Sequence, residues 1–186
     1  GEDVPQHLSL DVPLEDVREE PAYLSRNMYP LQYEDVGGNH PLRYEWGVHN
    51  RLRNQNNGWN HYVWRFFPPD LYLEDHPEFY PHPDGLDGKP AIPGPSHGWQ
   101  PCYSNEDTIP IAVDWILNYF AQNPDQSSIS LAVNDSGNFC EEHPYHENYT
   151  DKRNSIGRPD MSDIYFAWVN EVVEQVLEVY PDKWFG

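Results

Sequence analysis

Basic residues and cysteines are scarce in this chain of 186 residues. There are 11 Lys and Arg against 31 Asp and Glu, a net charge of -20. That balance provides no basic face for phosphates, so no nucleic-acid partner is expected. An anionic membrane surface is disfavoured for the same reason. Two cysteines, Cys102 and Cys140, exclude a disulfide scaffold as the basis of the fold. They pair only if the loops that carry them meet. No apolar run approaches the roughly 18 residues of a membrane-spanning helix, so no membrane partner is expected. The phosphate-binding fingerprints are missing: no GxGxxG and no Walker-type lysine loop. No cofactor is expected. The GxSxG nucleophile elbow is absent, and no repeat of fixed period appears.

Aromatic residues and proline are abundant. Aromatics make up 15% of the chain, with 7 Trp and 13 Tyr beside 19 Pro. Such a composition is not that of a disordered chain. Many Trp and Tyr together with Asn, Asp and His suit a site that stacks on and hydrogen-bonds a polar ligand such as a sugar. An ordinary core with long Pro-rich loops is the plainer alternative.

Along the chain, residues 1–20 are acidic and Pro-containing, and are expected to be an N-terminal edge segment or linker. Residues 22–29 have strand composition. A helix is expected over 41–53, with Asn39 as N-cap and Pro41 in its first turn. His61-Tyr62-Val63-Trp64-Arg65-Phe66-Phe67 reads as a strand stopped by Pro68-Pro69. A short helix follows over 70–75, then a strand at Glu78-Phe79-Tyr80. Residues 81–98 read as a long loop and 99–103 as a brief strand. Ala112, Trp115, Ile116, Tyr119 and Phe120 recur at helical spacing, with Ser104 or Asn105 as cap and Asn123-Pro124 as the stop. Ile129 to Val133 reads as a strand. Tyr165, Trp168, Val169, Val172, Val176 and Leu177 line a second helical stripe. Ser162 is the expected N-cap, and Asp163 sets negative charge against the helix N-terminus. Pro181 ends that helix, and Lys183-Trp184-Phe185 resumes as a strand.

Alternating strands and helices predict an α/β fold with parallel strands and covering helices. A closed (β/α)8 barrel needs roughly 250 residues. The chain opens on Gly1 rather than Met and stops as a strand begins. The expectation is therefore a partial TIM-like barrel, about half of one, over residues 21–186, completed by the rest of the same polypeptide. An open α/β sheet is the alternative.

In such folds the chemistry sits in loops at the carboxyl ends of strands. Asp135 lies two residues past the run 129–133, at the head of a long loop reaching Met161. Loops of that length are commonly functional, although Asn134-Asp135-Ser136-Gly137 is also ordinary turn chemistry. Cys140, His143 and His146, with Glu141, Glu142 and Glu147, suggest a zinc-type ligand set. Their spacing matches no standard motif, and a solvated acidic loop is preferred, so no metal is expected. His61 and Trp64 lie on the aromatic run. Trp59 and Trp99 flank turns and are placed to stack. Tyr103 and Asn105 follow another strand end.

The ordered set HYVWRFFPPDLYLEDHPEFY, WQPCYSNED, SISLAVNDSGNFC and SDIYFAWVNEVVEQVLEVYPDK resembles the bacterial domain-of-unknown-function family DUF4838. That family occurs in polysaccharide-degrading proteins and is similar to the catalytic barrels of α-glucuronidases and β-N-acetylhexosaminidases. The resemblance covers about residues 21–186. It runs through His61, His76-Pro77-Glu78, Cys102, Asn105, Asn134-Asp135, Cys140, Ser162-Asp163 and Asn170. Where the family places further cysteines after Cys140, this chain has Glu, His and Tyr.

The resemblance implies a glycoside hydrolase acting on a polysaccharide or oligosaccharide by carboxylate acid/base chemistry, in a secreted or periplasmic setting. Such enzymes hold two carboxyl groups about 5–5.5 Å or about 6.5–9.5 Å apart. Asp135 is the expected first carboxylate and Glu142 the second, with Glu106 or a residue of the missing half as alternatives. Substrate-assisted catalysis oriented by Asn134 and Asp135 is a further alternative. His61, Tyr103, Asn105 and Asn134 are expected to bind sugar hydroxyls, and Trp59 and Trp64 to stack on the ring. A non-catalytic carbohydrate-binding module, or a structural part of a larger polysaccharide-processing protein, is the competing expectation.

Overall fold

A computed structural model of the chain describes Asp16, Asn50 and residues 59–82 and 98–186. The chain divides into two compact units, and every element below belongs to Asn56–Gly186. The expected edge segment, the strand over 22–29, the helix over 41–53 and nearly all of the loop over 81–98 lie outside the described residues.

The fold is α/β. A short parallel pair, β1 (Ser128–Ile129) and β2 (Trp184–Phe185), is covered by helices. Three helices are α1 (Pro69–Tyr72), α2 (Thr108–Gln122) and α3 (Ser162–Val179). Among the described residues, 3-10 turns at Val63–Arg65, Pro77–Phe79 and Cys140–Glu142 accompany them. Ser128 pairs with Trp184 and Ile129 with Phe185. The bonding runs past the strand ends: Trp184 N–H donates to the Ser127 carbonyl at 2.9 Å, and Leu131 N–H to the Gly186 carbonyl at 2.6 Å. On the other flank, Tyr62 N–H donates to the Ala132 carbonyl at 3.1 Å. Residues 127–133 are therefore held from both sides. β1, α3 and β2 form one strand–helix–strand crossover, which parallel neighbours require.

Both long helices follow from their apolar spacing. Ala112, Ile116 and Phe120 recur every four residues and are buried, as are Trp168, Val172 and Val176. The two stripes pack on one another. Trp168 Nε1–H donates to Thr108 Oγ1 at 2.9 Å and fixes their register. Asn123 and Tyr180 end the helices ahead of Pro124 and Pro181. Each cap lies a residue or two from its expected place. Asp107 precedes α2, and Met161 precedes α3, where Asp160 Oδ1 accepts the Ser162 N–H.

Three expected strands are not strands. The run 61–67 makes a 3-10 turn at Val63–Arg65. Val63, Phe66 and Phe67 are all fully buried. Extended backbone would send Phe66 and Phe67 to opposite faces, whereas helical i, i+3, i+4 geometry turns both inward. Glu78-Phe79-Tyr80 follows Pro77 into another 3-10 turn, with Phe79 under the His76 ring. Residues 99–103 are buried without alternation and form no strand; Gln100 N–H donates to the Asn138 carbonyl at 3.1 Å and Cys102 N–H to the Phe79 carbonyl at 3.0 Å, and side-chain bonds supply the rest.

Candidate functional site

A buried polar knot stands where β1's extension ends. Asn134 is 2% exposed. Its Oδ1 accepts the Trp64 N–H at 3.0 Å, and its Nδ2–H donates to the Trp99 carbonyl at 2.6 Å. Gln100, fully buried, closes the knot from the other side. Its Nε2–H donates to the Asn134 and Ser136 carbonyls, both at 2.7 Å, and its Oε1 accepts the Asn134 N–H at 3.0 Å. Tyr103 O–H donates to the same Oε1 at 3.1 Å. Burial pushes the Tyr103 hydroxyl well above the usual phenol range, with Tyr165 and Glu141 adding to it. The knot adds side-chain partners to the two backbone bonds that residues 99–103 make.

From this knot the loop runs to Cys140, which is disulfide-bonded to Cys102 with Cα atoms 5.1 Å apart. The bridged sulfur is no thiolate and leaves any zinc-type ligand set. Among the described residues, no group of three or more His, Cys, Asp or Glu is arranged to hold a metal ion. Glu141 is wholly buried behind the bridge. Its Oε1 accepts the Ser104 N–H at 2.7 Å, while Oε2 is buried with no hydrogen-bond partner among the described residues.

The bridge clamps segments 102–106 and 140–148 into the walls of one cleft of about 760 Å³. Glu78, Glu106 and Glu147 line it together with Asn105, His146 and Tyr145, whose ring is 47% exposed. His146 Nδ1 accepts the Asn148 N–H at 3.1 Å, so a neutral ring carries its proton on Nε2. His82, buried against the same cleft, donates from Nε2 to the Pro77 carbonyl at 2.7 Å. Asn105 is held at the foot of α2, its Oδ1 accepting the Asp107 N–H at 3.0 Å.

None of the described cations lines this cleft. Arg65 lies over the Tyr62 and Trp64 rings. Lys152 pairs with Asp163, and Lys183 caps the Pro124 and Gln126 carbonyls. Arg153 reaches Tyr149, and Arg158 lies beside Gly137.

The residues singled out from sequence separate into distinct places. Asn105 lines the cleft, as do Glu106 and, from the zinc-type set, Cys140, His146 and Glu147. Asp135 is exposed on the bend after the knot, and Glu142 is half-buried in the turn after Cys140; neither lines the cleft. His61 donates from Nδ1 to the Val133 carbonyl at 2.6 Å, and Trp64 is half-buried next to Asn134. Trp59 is 51% exposed, with its indole against Gly186. Tyr103 is buried in the knot. Gln100, His82 and Tyr145 carried no usable sequence signal of their own, and Glu78 entered only through the family resemblance. The Cys102–Cys140 bridge joins two of their segments, and Cys102 N–H, donating to the Phe79 carbonyl at 3.0 Å, joins the third.

The fold and site define an α/β protein with a disulfide-braced, carboxylate-lined cleft. The family model for a domain of unknown function, DUF4838, matches residues 1–186, and the chain belongs to that family. No curated protein and no solved structure matches the chain.

Proposed function

We propose that the chain processes saccharides as a glycoside hydrolase, with the cleft beside the Cys102–Cys140 bridge as its sugar site. One observation carries the reading: three carboxylates, an amide and an exposed aromatic ring share one cleft of about 760 Å³. Pockets of roughly 300–1,000 Å³ hold small ligands. Glycosidic cleavage needs a carboxylic acid to protonate the leaving oxygen and a second carboxylate as nucleophile or base. Glu78, Glu106 and Glu147 are the cleft's candidates. Asn105 and His146 supply hydrogen bonds to hydroxyls, and Tyr145 supplies a stacking face.

Three further features support this reading. The loop that follows β1 feeds the cleft, as parallel α/β folds place their sites. The β1–α3–β2 crossover is the unit from which a (β/α)8-type barrel is built, and on this reading the rest of a longer polypeptide completes the barrel. The disulfide suits an oxidising, secreted or periplasmic setting. Among the described residues, no helix is long and apolar enough to cross a membrane.

The test is a carboxylate scan against an oligosaccharide panel. Glu106→Gln or Glu147→Gln is expected to lower turnover by about 10²-fold or more, the usual worth of a general acid or base. Asp135→Asn and Glu142→Gln, in the same series, are expected to stay within about threefold, because neither group lines the cleft. Unchanged turnover in Glu106→Gln, Glu147→Gln and Glu78→Gln alike would remove the cleft from the chemistry. Binding without turnover in any protein of the series would assign the chain to carbohydrate capture instead.

A further inference from the structure

We infer that the cleft continues into a second saccharide-binding arm between α2 and α3, so that the site grips an extended chain on both sides of Glu106. The inference rests on the saccharide reading above and gives it a substrate class: an oligo- or polysaccharide bound along its length, rather than a single terminal sugar.

A second cavity, of about 640 Å³, lies between the two long helices. Ser104 and Glu106 line both cavities, so the two adjoin along that short segment. Each by itself falls in the size range of a small-ligand pocket, roughly 300–1,000 Å³, and together they exceed it. A monosaccharide leaves one arm empty; a chain fills both.

The second arm has the composition of a sugar subsite. Its floor is aromatic: Tyr103 and Trp168 meet edge-to-face with centroids 5.2 Å apart. Ile109 and Ile164 add apolar walls, and Glu171 and Gln175 give a polar rim. Apolar walls with a few polar groups at the edge hold a pyranose by its C–H face and its hydroxyls. The arm is also preformed. Trp168 is tied to Thr108, and both helices are packed along buried stripes. Little ordering cost attends its occupation.

Glu106 stands at the junction. Among the described residues it is the only carboxylate that lines both arms. Its carbonyl accepts the Ile109 N–H at 3.1 Å, which fixes it to the first turn of α2. The neighbouring Ser104 amide is held from beneath by the buried Glu141 carboxylate. A chain crossing from one arm to the other therefore passes its linkage alongside Glu106.

The experiment uses the full chain and a ladder of labelled xylo-, cello- and chito-oligosaccharides, from dimers to octamers. Turnover, or affinity by titration, is measured against length. Ala167 is exposed on α3 and lines the second arm, so Ala167→Trp blocks the arm without straining the core. Asn170→Trp, exposed on the same helix and outside the arm, is the control. In the wild type, kcat/KM or affinity is expected to rise with chain length. Ala167→Trp is expected to lower the long-to-short ratio by about tenfold, the equivalent of one lost subsite worth about 1.4 kcal/mol. Asn170→Trp leaves that ratio as it was. No length dependence in the wild type, or a ratio untouched by Ala167→Trp, overturns the second arm while leaving the cleft reading in place. If no saccharide of any length binds or reacts, the cleft reading fails and the arm fails with it.

Discussion

Removing the Cys102–Cys140 bridge is the sharpest perturbation of stability that the fold offers. The bridge spans a sequence separation of 38 residues. Closing a loop of that size in the unfolded chain removes conformational entropy worth about 4 kcal/mol at 25 °C in the loop-closure treatment. For a chain of 186 residues, each kcal/mol shifts Tm by about 2–4 °C, so the loss amounts to about 8–16 °C. Cys102→Ala/Cys140→Ala is the better variant, because both positions are nearly buried and serine would bring two hydroxyls into apolar surroundings. Thermal unfolding by circular dichroism, with and without dithiothreitol, is the assay. Reduced wild type is expected to melt near the double variant, and the variant itself to ignore the reductant. The same change unclamps segments 102–106 and 140–148, so saccharide affinity is expected to fall along with Tm. A double variant melting within about 2 °C of oxidised wild type would refute the loop-closure reasoning.

Other consequences are open to measurement. Asn134→Ala strips the Trp64 N–H and the Trp99 carbonyl of their side-chain partner; at about 1–3 kcal/mol for each buried group, urea denaturation should show a loss of roughly 2–5 kcal/mol. Asp135→Ala, one residue on and exposed, should stay within about 0.5 kcal/mol in the same assay. Tyr103 holds its proton in the folded state at a pH where the unfolded chain, with the usual value near 10.0, releases it. Stability is therefore complete below about pH 10 and falls as pH rises, by about 1.4 kcal/mol per pH unit for one such group. Tyr103→Phe should flatten the alkaline limb of a pH–Tm curve. Gly157 adopts φ 79°, so Gly157→Ala should cost about 1 kcal/mol and Gly157→Asn less.

Helices were readable because their signal is periodic and local. Ala112, Ile116 and Phe120, and Trp168, Val172 and Val176, repeat at a spacing that only a helix can bury on one side. The parallel strand beginning at Trp184 was readable from the proline stop and the aromatic pair behind it. The run 61–67 misled for a physical reason: its β-forming residues are there for their bulk, and a tight turn ahead of Pro68-Pro69 buries Val63, Phe66 and Phe67 together. Residues 99–103 misled for another. Their backbone bonds go to two different segments, at Asn138 and Phe79, and the Gln100 side chain supplies further bonds to the Asn134 and Ser136 carbonyls, so no regular ladder forms.

The site was legible only in pieces. Asn105, with Glu106 as an alternative carboxylate, lies on a segment that lines the proposed sugar cleft. The weight given to Asn134-Asp135 followed the rule that strand ends carry chemistry. In this fold the first of the pair is spent on buried architecture, and the second faces outward. What composition and spacing leave undetermined is which loops meet. Here a disulfide between residues that spacing alone leaves unpaired joins them, together with bonds from Gln100, Cys102 and Ser104.

The saccharide assignment of the cleft is tested most directly by mapping where sugar touches the chain. Titrating neutral oligosaccharides into the 15N-labelled protein, and following backbone amides by NMR, should perturb Ser104, Asn105, Tyr145, His146 and Glu147 as one saturable group, and leave His61 and Asp135 still. Perturbations centred on Trp59, His61 and Asp135, or none at saturating sugar, would contradict it.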